Sequence, residues 1–169
     1  EYNGSPSVSR DVKVHATKHY PLSERIVLDN ERCIMCTRCV RFTREVSKSN
    51  SLGVQNRGDH SLIRPVEDGA FENDPYSDNV IDLCPVGALL DDTARFRARN
   101  WEYDSTETTS MDDAAGAGIT VDARSGLLER IRGAERCEVN EVWISDAARF
   151  GHECVNQNRV TKPMIRKDG

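Results

Sequence analysis

Short apolar runs separated by polar turns dominate the first eighty or so residues of the chain. The apolar run at residues 26–28 predicts a short buried strand, and residues 39–46 are compatible with a helix. Residues 52–55 and 61–66 flank a polar turn that contains Gly58, a pattern typical of a β-hairpin. The loop between the strand and the helix is therefore expected to be held at both ends.

A second apolar segment, residues 80–83, leads into the pair Cys84-Pro85. Proline has no backbone N–H and biases the preceding residue away from helical geometry, so Cys84 is expected to be extended. We predict that a short helix begins shortly afterwards, near Val86 or Asp91.

Two polar stretches interrupt this pattern. Residues 68–77 are predicted to form a polar loop. Residues 102–118 are rich in Ser, Thr, Asp, Ala and Gly and contain almost no large apolar side chain, which places a domain boundary near residue 105. A second unit is therefore expected to follow.

The second unit begins with a clear alternation of apolar and polar residues. Residues 119–123 and 127–131 alternate around Ser125-Gly126 and predict a two-stranded hairpin. Residues 146–155 are compatible with a closing helix. Together, these elements indicate an α+β fold in two small units.

Composition and charge exclude some functions. The 169 residues include 28 acidic and 23 basic residues, so the net charge of -5 provides no broad basic surface and binding to nucleic acid is not expected. The apolar runs are far shorter than the roughly 20 residues of a membrane-spanning helix, so direct insertion into a membrane is not expected either. The chain begins at Glu1 with a polar stretch, and we interpret it as a piece of a longer protein.

Four of the six cysteines have the spacing of a metal centre. Cys33, Cys36 and Cys39 are each separated by two residues, which allows one loop to bind three corners of an iron–sulfur cube. Cys84 lies far along the chain and precedes Pro85, as in bacterial ferredoxins, where a distant Cys-Pro accompanies a triple-cysteine loop. The pattern predicts one [4Fe–4S] cluster bound by these four cysteines.

Other interpretations of the cysteines remain open. A zinc site usually takes two ligands from each of two separate Cys-x-x-Cys loops, whereas here three ligands lie in one loop. Disulfides are a further alternative, but no signal peptide precedes the cysteines, and we expect a reducing compartment. Cys137 and Cys154 have no partner cysteine nearby and are interpreted as buried or incidental thiols.

Charged side chains around the loop allow two interpretations. The arginines are either a solvated helix face or partial compensation for the negative charge of a cluster; they are Arg32, Arg38, Arg41 and Arg44. None of the histidines lies at metal-ligand spacing from a cysteine, which favours surface or packing roles; they are His15, His19, His60 and His152.

The cysteine motifs and their surroundings resemble the large iron–sulfur subunit family of NADH:quinone oxidoreductase, respiratory complex I. The segments that carry the resemblance are residues 19–22, 33–41, 84–89 and 96–102. The resemblance implies a ferredoxin-like [4Fe–4S] domain at residues 26–104, preceded by a connector at residues 1–25. It also implies an electron relay that carries single electrons from the NADH and flavin side toward quinone, with no residue in this segment that converts a substrate.

Residues 138–146 and 149–151 resemble the iron–sulfur entry domain of molybdopterin oxidoreductases, which implies that residues 105–169 begin a small β-rich domain of that kind. Some relatives carry an additional cluster on four cysteines in this domain. The corresponding positions here are Asp112, Ala115, Ile119 and Ser145, so no cluster is expected at that site.

The resemblance also implies partners and a location. We expect a hetero-oligomer with other peripheral-arm subunits of complex I, at the cytoplasmic face of a bacterial inner membrane or on the matrix side in mitochondria. Two alternatives stay open: the same module in a soluble NAD-linked hydrogenase or formate dehydrogenase, and a structural metal scaffold without redox function.

Overall fold

The computed structural model describes residues 16–157, 159–160 and 162–167. In this part of the chain the strands are β1 (Tyr20–Pro21), β2 (Ile26–Leu28), β3 (Leu52–Gln55), β4 (Leu62–Pro65), β5 (Leu89–Asp91), β6 (Asp104–Thr109), β7 (Gly118–Arg124) and β8 (Leu127–Gly133). The α-helices are α1 (Arg38–Glu45), α2 (Val80–Leu83), α3 (Asp146–Phe150) and α4 (Glu153–Asn156). Predictions for residues 1–15, including the role of His15 and most of the connector, lie outside the described residues.

The first sheet holds the two cysteine-bearing segments together. Its strand order is β1-β2-β5, and both pairs are antiparallel. All three residues of β2 are buried, as predicted for this apolar run. β2 leads into the cysteine loop, and β5 follows Cys84, so pairing of these two strands brings the distant motifs together.

The prediction of a helix that begins near Val86 or Asp91 is wrong, because residues 89–91 form strand β5. A short apolar run is ambiguous between strand and helix when only local periodicity is considered. Here pairing with β2 decides the conformation, with Leu90 opposite Val27. Strand β1 was not predicted, and it lies within residues 1–25, the range assigned to the connector. The division of the chain into domains stays a prediction.

The elements after the cysteine loop follow the prediction closely. Helix α1 begins one residue before the predicted start, and β3 pairs with β4 as an antiparallel hairpin. Gly58 has a φ of 64°, a conformation that glycine adopts without steric cost. Leu52 and Ile63 point from the hairpin into a hydrophobic core, called here the first core. Its other buried residues are Leu22, Ile26, Leu28, Cys39, Phe42, Phe71, Val80, Ala88 and Leu89.

The segment 68–77 is a turn-rich and largely exposed loop, as predicted, but three of its side chains are buried. Phe71 is 1% exposed and belongs to the first core, and Asp74 and Ser77 are also buried. The Asp74 carboxylate accepts hydrogen bonds from the hydroxyls of Ser47 and Ser49, both at 2.7 Å. These bonds satisfy a buried carboxylate and fix the segment over the hydrophobic core.

Besides the β3–β4 pair, the chain has a second three-stranded sheet, called here the second sheet. Its order is β6-β7-β8, and it contains the predicted hairpin of β7 and β8. Ser125 and Gly126 both have positive φ, 53° and 80°, which matches the requirement of a two-residue type I′ turn. Strand β6 was not predicted. Its six residues are polar and exposed, so they show no apolar alternation, and pairing with β7 rather than burial makes them a strand.

The closing segment is two short helices, α3 and α4, rather than the single helix predicted over residues 146–155. The helix is interrupted after Phe150 at Gly151, a residue of low helix propensity. A side chain at Gly151 would meet the carboxylate of the exposed Asp112, which would then have to move. None of the helices in the described ranges is long and apolar enough to cross a membrane.

The elements through β5, called here the first half of the chain, pack directly against the elements from β6 onward, called the second half. The rings of Phe42 and Trp143 lie with centroids 5.0 Å apart, and the Arg25 guanidinium lies 4.3 Å from the centre of the Phe150 ring. The side chain of Asn79, which is 1% exposed, donates to the carbonyl of Ile144 and accepts from its N–H. The joint therefore combines aromatic packing with buried hydrogen bonds.

Phe71→Ala should lower the free energy of unfolding by about 3–5 kcal/mol, because it leaves a cavity in the first core. The matched control is Phe96→Ala, since Phe96 is 74% exposed and should contribute less than about 1 kcal/mol. Urea denaturation followed by circular dichroism measures both. Equal losses in the two variants would contradict the assignment of segment 68–77 to the core.

Candidate iron–sulfur site

The structure brings all four predicted ligand cysteines to one cavity. Cys33, Cys36, Cys39 and Cys84 line it together with an apolar wall made of Leu28, Ile63, Val86, Ala88 and Leu89. The wall residues come from β2, β4, β5 and the turn before β5. A ring of thiols inside an apolar wall is the donor set of an iron–sulfur cluster, and these residues fit that group.

Two residues in left-handed conformation shape the cysteine loop. Met35 has a φ of 53° and Thr37 a φ of 60°, which is uncommon for residues other than glycine. They stand on either side of Cys36 and turn the backbone twice within three residues. Thr37 is also the residue before α1, so Cys39 lies in the first turn of that helix and is buried.

The fourth cysteine ends helix α2. Cys84 has φ −75° and ψ 108°, the extended conformation expected before Pro85. The chain then turns at Gly87, which has a φ of 59°, and the N–H of Ala88 donates to the Cys84 Sγ at 3.1 Å. This donor was not predicted, because a backbone N–H leaves no mark in the sequence.

Burial makes the thiols hard to ionise when no metal is bound. Burial raises the pKa of the Cys39 thiol to about 11, and the neighbouring Cys33, Cys36 and Cys84 add to this effect. Burial also raises the pKa of Cys33, with further contributions from Cys84 and Cys36. The four sulfurs are thus close enough to affect one another electrostatically, and their thiolate forms require a compensating positive group.

The arginines near the loop have different surroundings. Arg38 lines the cavity itself. Arg32 pairs with Asp29 at 3.3 Å and donates to the carbonyl of Gly87 at 3.4 Å, which links the cysteine loop to the turn after Cys84. Arg44 pairs with the adjacent Glu45 and belongs to the exposed face of α1. Of the predicted charges, Arg38 is therefore at the cavity and Arg32 contacts the turn after Cys84.

The remaining candidate ligands lie elsewhere. His19 and His60 are exposed and near aspartates, whereas His152 is buried, with Nδ1 3.3 Å from the carbonyl oxygen of Arg149. Cys137 and Cys154 are exposed, so they are not buried thiols. Within the described ranges, which include the four cavity cysteines, no three His, Cys, Asp or Glu side chains stand close enough together for a single metal ion.

The positions of the expected empty site in the second half serve other roles. Ile119 is a core residue of β7, and Ser145 caps α3 by accepting the N–H of Ala148 at 3.2 Å. Asp112 lies against Gly151. The four side chains contain no thiol, so they do not fit an iron–sulfur cluster held by cysteines; they are Asp112, Ala115, Ile119 and Ser145.

Two protein-family models match the chain. A model of the ferredoxin-like domain of NADH-quinone oxidoreductase subunit 3 matches residues 23–90. A model of the NADH-ubiquinone oxidoreductase NDSU1/NuoG-like 4Fe-4S domain matches residues 103–153. The short helices with small antiparallel sheets, the cysteine cavity and these matches define the class: a ferredoxin-like iron–sulfur protein.

Individual relatives narrow the class to one family. NADH-quinone oxidoreductase subunit 3 of Thermus thermophilus is 53% identical over 92% of this chain and 20% of that protein. The 75 kDa subunit of NADH-ubiquinone oxidoreductase from Reclinomonas americana is 44% identical over 82% of the chain and 20% of its own length. The chain belongs to the large iron–sulfur subunit family of NADH:quinone oxidoreductase, which confirms the resemblance inferred from the cysteine motifs. It spans about a fifth of the length of these curated relatives.

The second half of the chain matches a model of a 4Fe-4S domain but contains few cysteines. The model describes a 4Fe-4S domain, but Cys137 is the only cysteine between residues 103 and 153 of this sequence. A [4Fe–4S] cluster held by four protein thiolates needs three more. The match therefore assigns the domain to the family without supplying a second ligand set.

In the chain without metal, iodoacetamide at pH 8 should alkylate Cys36 and Cys137 much faster than Cys39. Cys36 and Cys137 are exposed, whereas a buried thiol with a pKa of about 11 is ionised to roughly one part in a thousand at this pH. The Cys39 rate should rise about tenfold per pH unit below its pKa. Peptide mass spectrometry measures the rates, and equal rates at Cys36 and Cys39 would contradict the burial of Cys39.

Proposed function

We propose that Cys33, Cys36, Cys39 and Cys84 hold one [4Fe–4S] cluster and that the chain relays single electrons within NADH:quinone oxidoreductase, from the NADH side toward quinone. The observation that carries this proposal is the convergence of the four thiols on one apolar cavity. The names of the relatives supply the reaction to which such a relay would belong.

The residues of the chain would bind, shield and balance the cofactor. A bound [4Fe–4S] cluster accepts and releases one electron at a time. Leu28, Ile63 and Leu89 keep water from the inner side of the cavity. The N–H of Ala88 directs a partial positive charge at the sulfur of Cys84, and a hydrogen bond of this kind stabilises added negative charge.

The second half would complete the subunit without a cluster of its own. We propose that it is a β-rich domain of the molybdopterin oxidoreductase entry type in which Asp112, Ala115, Ile119 and Ser145 replace the thiolates of some relatives. Its β6-β7-β8 sheet and its N-capped helix α3 are compatible with a folded domain in which packing takes the place of the metal. The number of clusters proposed for this chain is one.

The partners we propose are other peripheral-arm subunits of complex I. An electron relay requires a donor and an acceptor outside itself, and the chain exposes large apolar side chains that a partner would cover. Among the described residues these include Ile34, Trp101 and Met111, which are 61%, 82% and 89% exposed. We place the assembly at the cytoplasmic face of a bacterial inner membrane, or on the matrix side in a mitochondrion.

The first test is anaerobic reconstitution with iron and sulfide, followed by metal analysis and low-temperature EPR after reduction with dithionite. The expected result is about four irons per chain and the signal of a reduced cluster. Cys84→Ala should lose most of this signal, because it removes one ligand from the cavity.

The matched control is Cys137→Ala, which removes an exposed cysteine outside the cavity and should leave iron content and signal unchanged. Binding of zinc without an EPR signal would overturn the relay and indicate a structural metal module. Equal loss of signal in the two variants would overturn the assignment of Cys84 as a ligand.

A further inference from the structure

The helical turn that ends at Cys84 is attached to the second half of the chain. Helix α2 occupies the four residues before this cysteine. At its start, the Asn79 side chain makes two hydrogen bonds with the backbone of Ile144, at 2.8 and 3.1 Å. The segment that delivers the fourth ligand is therefore held by residues that belong to the opposite side of the joint.

A buried arginine makes the second attachment. Arg149 in α3 is 3% exposed, and its Nη2 donates to the Asp82 carboxylate at 2.6 Å. Its Nη1 donates to the carbonyl of Ile131 at 3.4 Å, while its Nε has no hydrogen-bond partner among the described residues. An arginine buried to this extent is costly unless a carboxylate neutralises it, so the pair with Asp82 is tightly constrained.

The same arginine faces further acidic groups at the joint. Burial raises the pKa of Asp78 to about 7 and also raises that of Asp146, whereas the charge of Arg149 acts to lower both. The Asp146 carboxylate accepts the backbone N–H of Asp78 and the hydroxyl of Ser77. Arg149 thus provides buried positive charge in a region that contains several carboxylates next to α2.

We propose that Arg149 is a positioning residue for the cluster site: through Asp82 it fixes the helical turn that presents Cys84, and its charge offsets the carboxylate that lies two residues from that ligand. This inference rests on the proposed function. It gives the second half of the chain, which lacks a ligand set of its own, a direct part in shaping the first.

The pairing of Arg149 with Asp82 predicts that substitutions of these two residues change the ease of reducing the cluster in opposite directions. Arg149→Gln leaves the Asp82 carboxylate unpaired near Cys84, which disfavours the addition of an electron to the cluster. Asp82→Asn removes that negative charge and leaves Arg149 positive, which favours the addition of an electron to the cluster. A purely structural role would not produce shifts of opposite sign.

The test is an EPR-monitored redox titration of the reconstituted 169-residue chain. At the midpoint potential of the unsubstituted chain, Arg149→Gln should decrease the ratio of reduced to oxidised cluster about tenfold, equivalent to a midpoint about 59 mV lower for one electron. Asp82→Asn should increase the ratio, and the double variant should return it toward the original value. Arg149→Lys, which keeps the charge, should stay within about threefold of the original ratio, a smaller change than the loss of the charge causes.

A second measurement does not need the cluster. In the chain without metal, Arg149→Gln should raise the alkylation rate of Cys84 relative to that of Cys36, because α2 loses its ion pair with the second half of the chain. The matched control for both measurements is Arg124→Gln, since Arg124 pairs with Glu129 in the second sheet and makes the same change in charge. This control should leave both the ratio and the alkylation rates unchanged.

The outcomes separate this inference from the proposed function. A cluster that assembles normally, with the same midpoint and the same Cys84 reactivity in Arg149→Gln, would overturn the positioning role and leave the relay intact. Midpoints that move in the same direction in Arg149→Gln and Asp82→Asn would overturn the electrostatic part. Failure of the unsubstituted chain to bind iron would overturn the proposed function, while the alkylation rates would still decide whether Arg149 holds α2.

Discussion

The burial of four thiol groups in one apolar cavity is the constraint on which the rest of the structure depends. Thiolates inside such a cavity are unstable without a compensating positive group, and the raised pKa values of Cys33 and Cys39 express this cost. The surrounding chain supplies an N–H from Ala88 and the guanidinium group of Arg38 at the edge of the cavity. These groups do not neutralise four thiolates, which is why the site is suited to a metal cluster.

The part of the site that a sequence reveals is the part encoded by residue type and spacing. Cys33, Cys36 and Cys39 are neighbours along the chain, and Pro85 marks the remote cysteine, so the grouping of these four thiols at one cavity was predictable. The N–H of Ala88 and the left-handed conformation of Met35 depend on backbone geometry instead. They were not predictable from side-chain chemistry.

The fold shows the same limit. The hairpin around Ser125-Gly126 was predictable because the turn residues and the alternation agree. Strand β5 was not, because its three residues are extended through their pairing with β2, about sixty residues earlier in the chain. Phe71 was overlooked because an isolated apolar residue in a polar segment gives no periodic signal, although Phe71 is among the largest fully buried side chains.

The second half of the chain is held together by packing and by hydrogen bonding of its own side chains. Ser145 caps helix α3, and Ile119 is a core residue of β7. The joint with the first half is polar as well as aromatic, with Asn79 and Arg149 buried in it. Such a joint transmits changes in charge more directly than an apolar interface would.

Pairing of β2 with β5 has a consequence for the way the protein assembles. Leu28 and Leu89 are opposite each other in the sheet, and everything between them, including α1 and the β3–β4 hairpin, is a closed loop. A cofactor that joins Cys39 to Cys84 would act as a cross-link across that loop and reduce the conformational entropy of the unfolded chain, as a disulfide does. Cofactor insertion and folding would then be one cooperative event, and loss of the metal centre would loosen the first half as a unit.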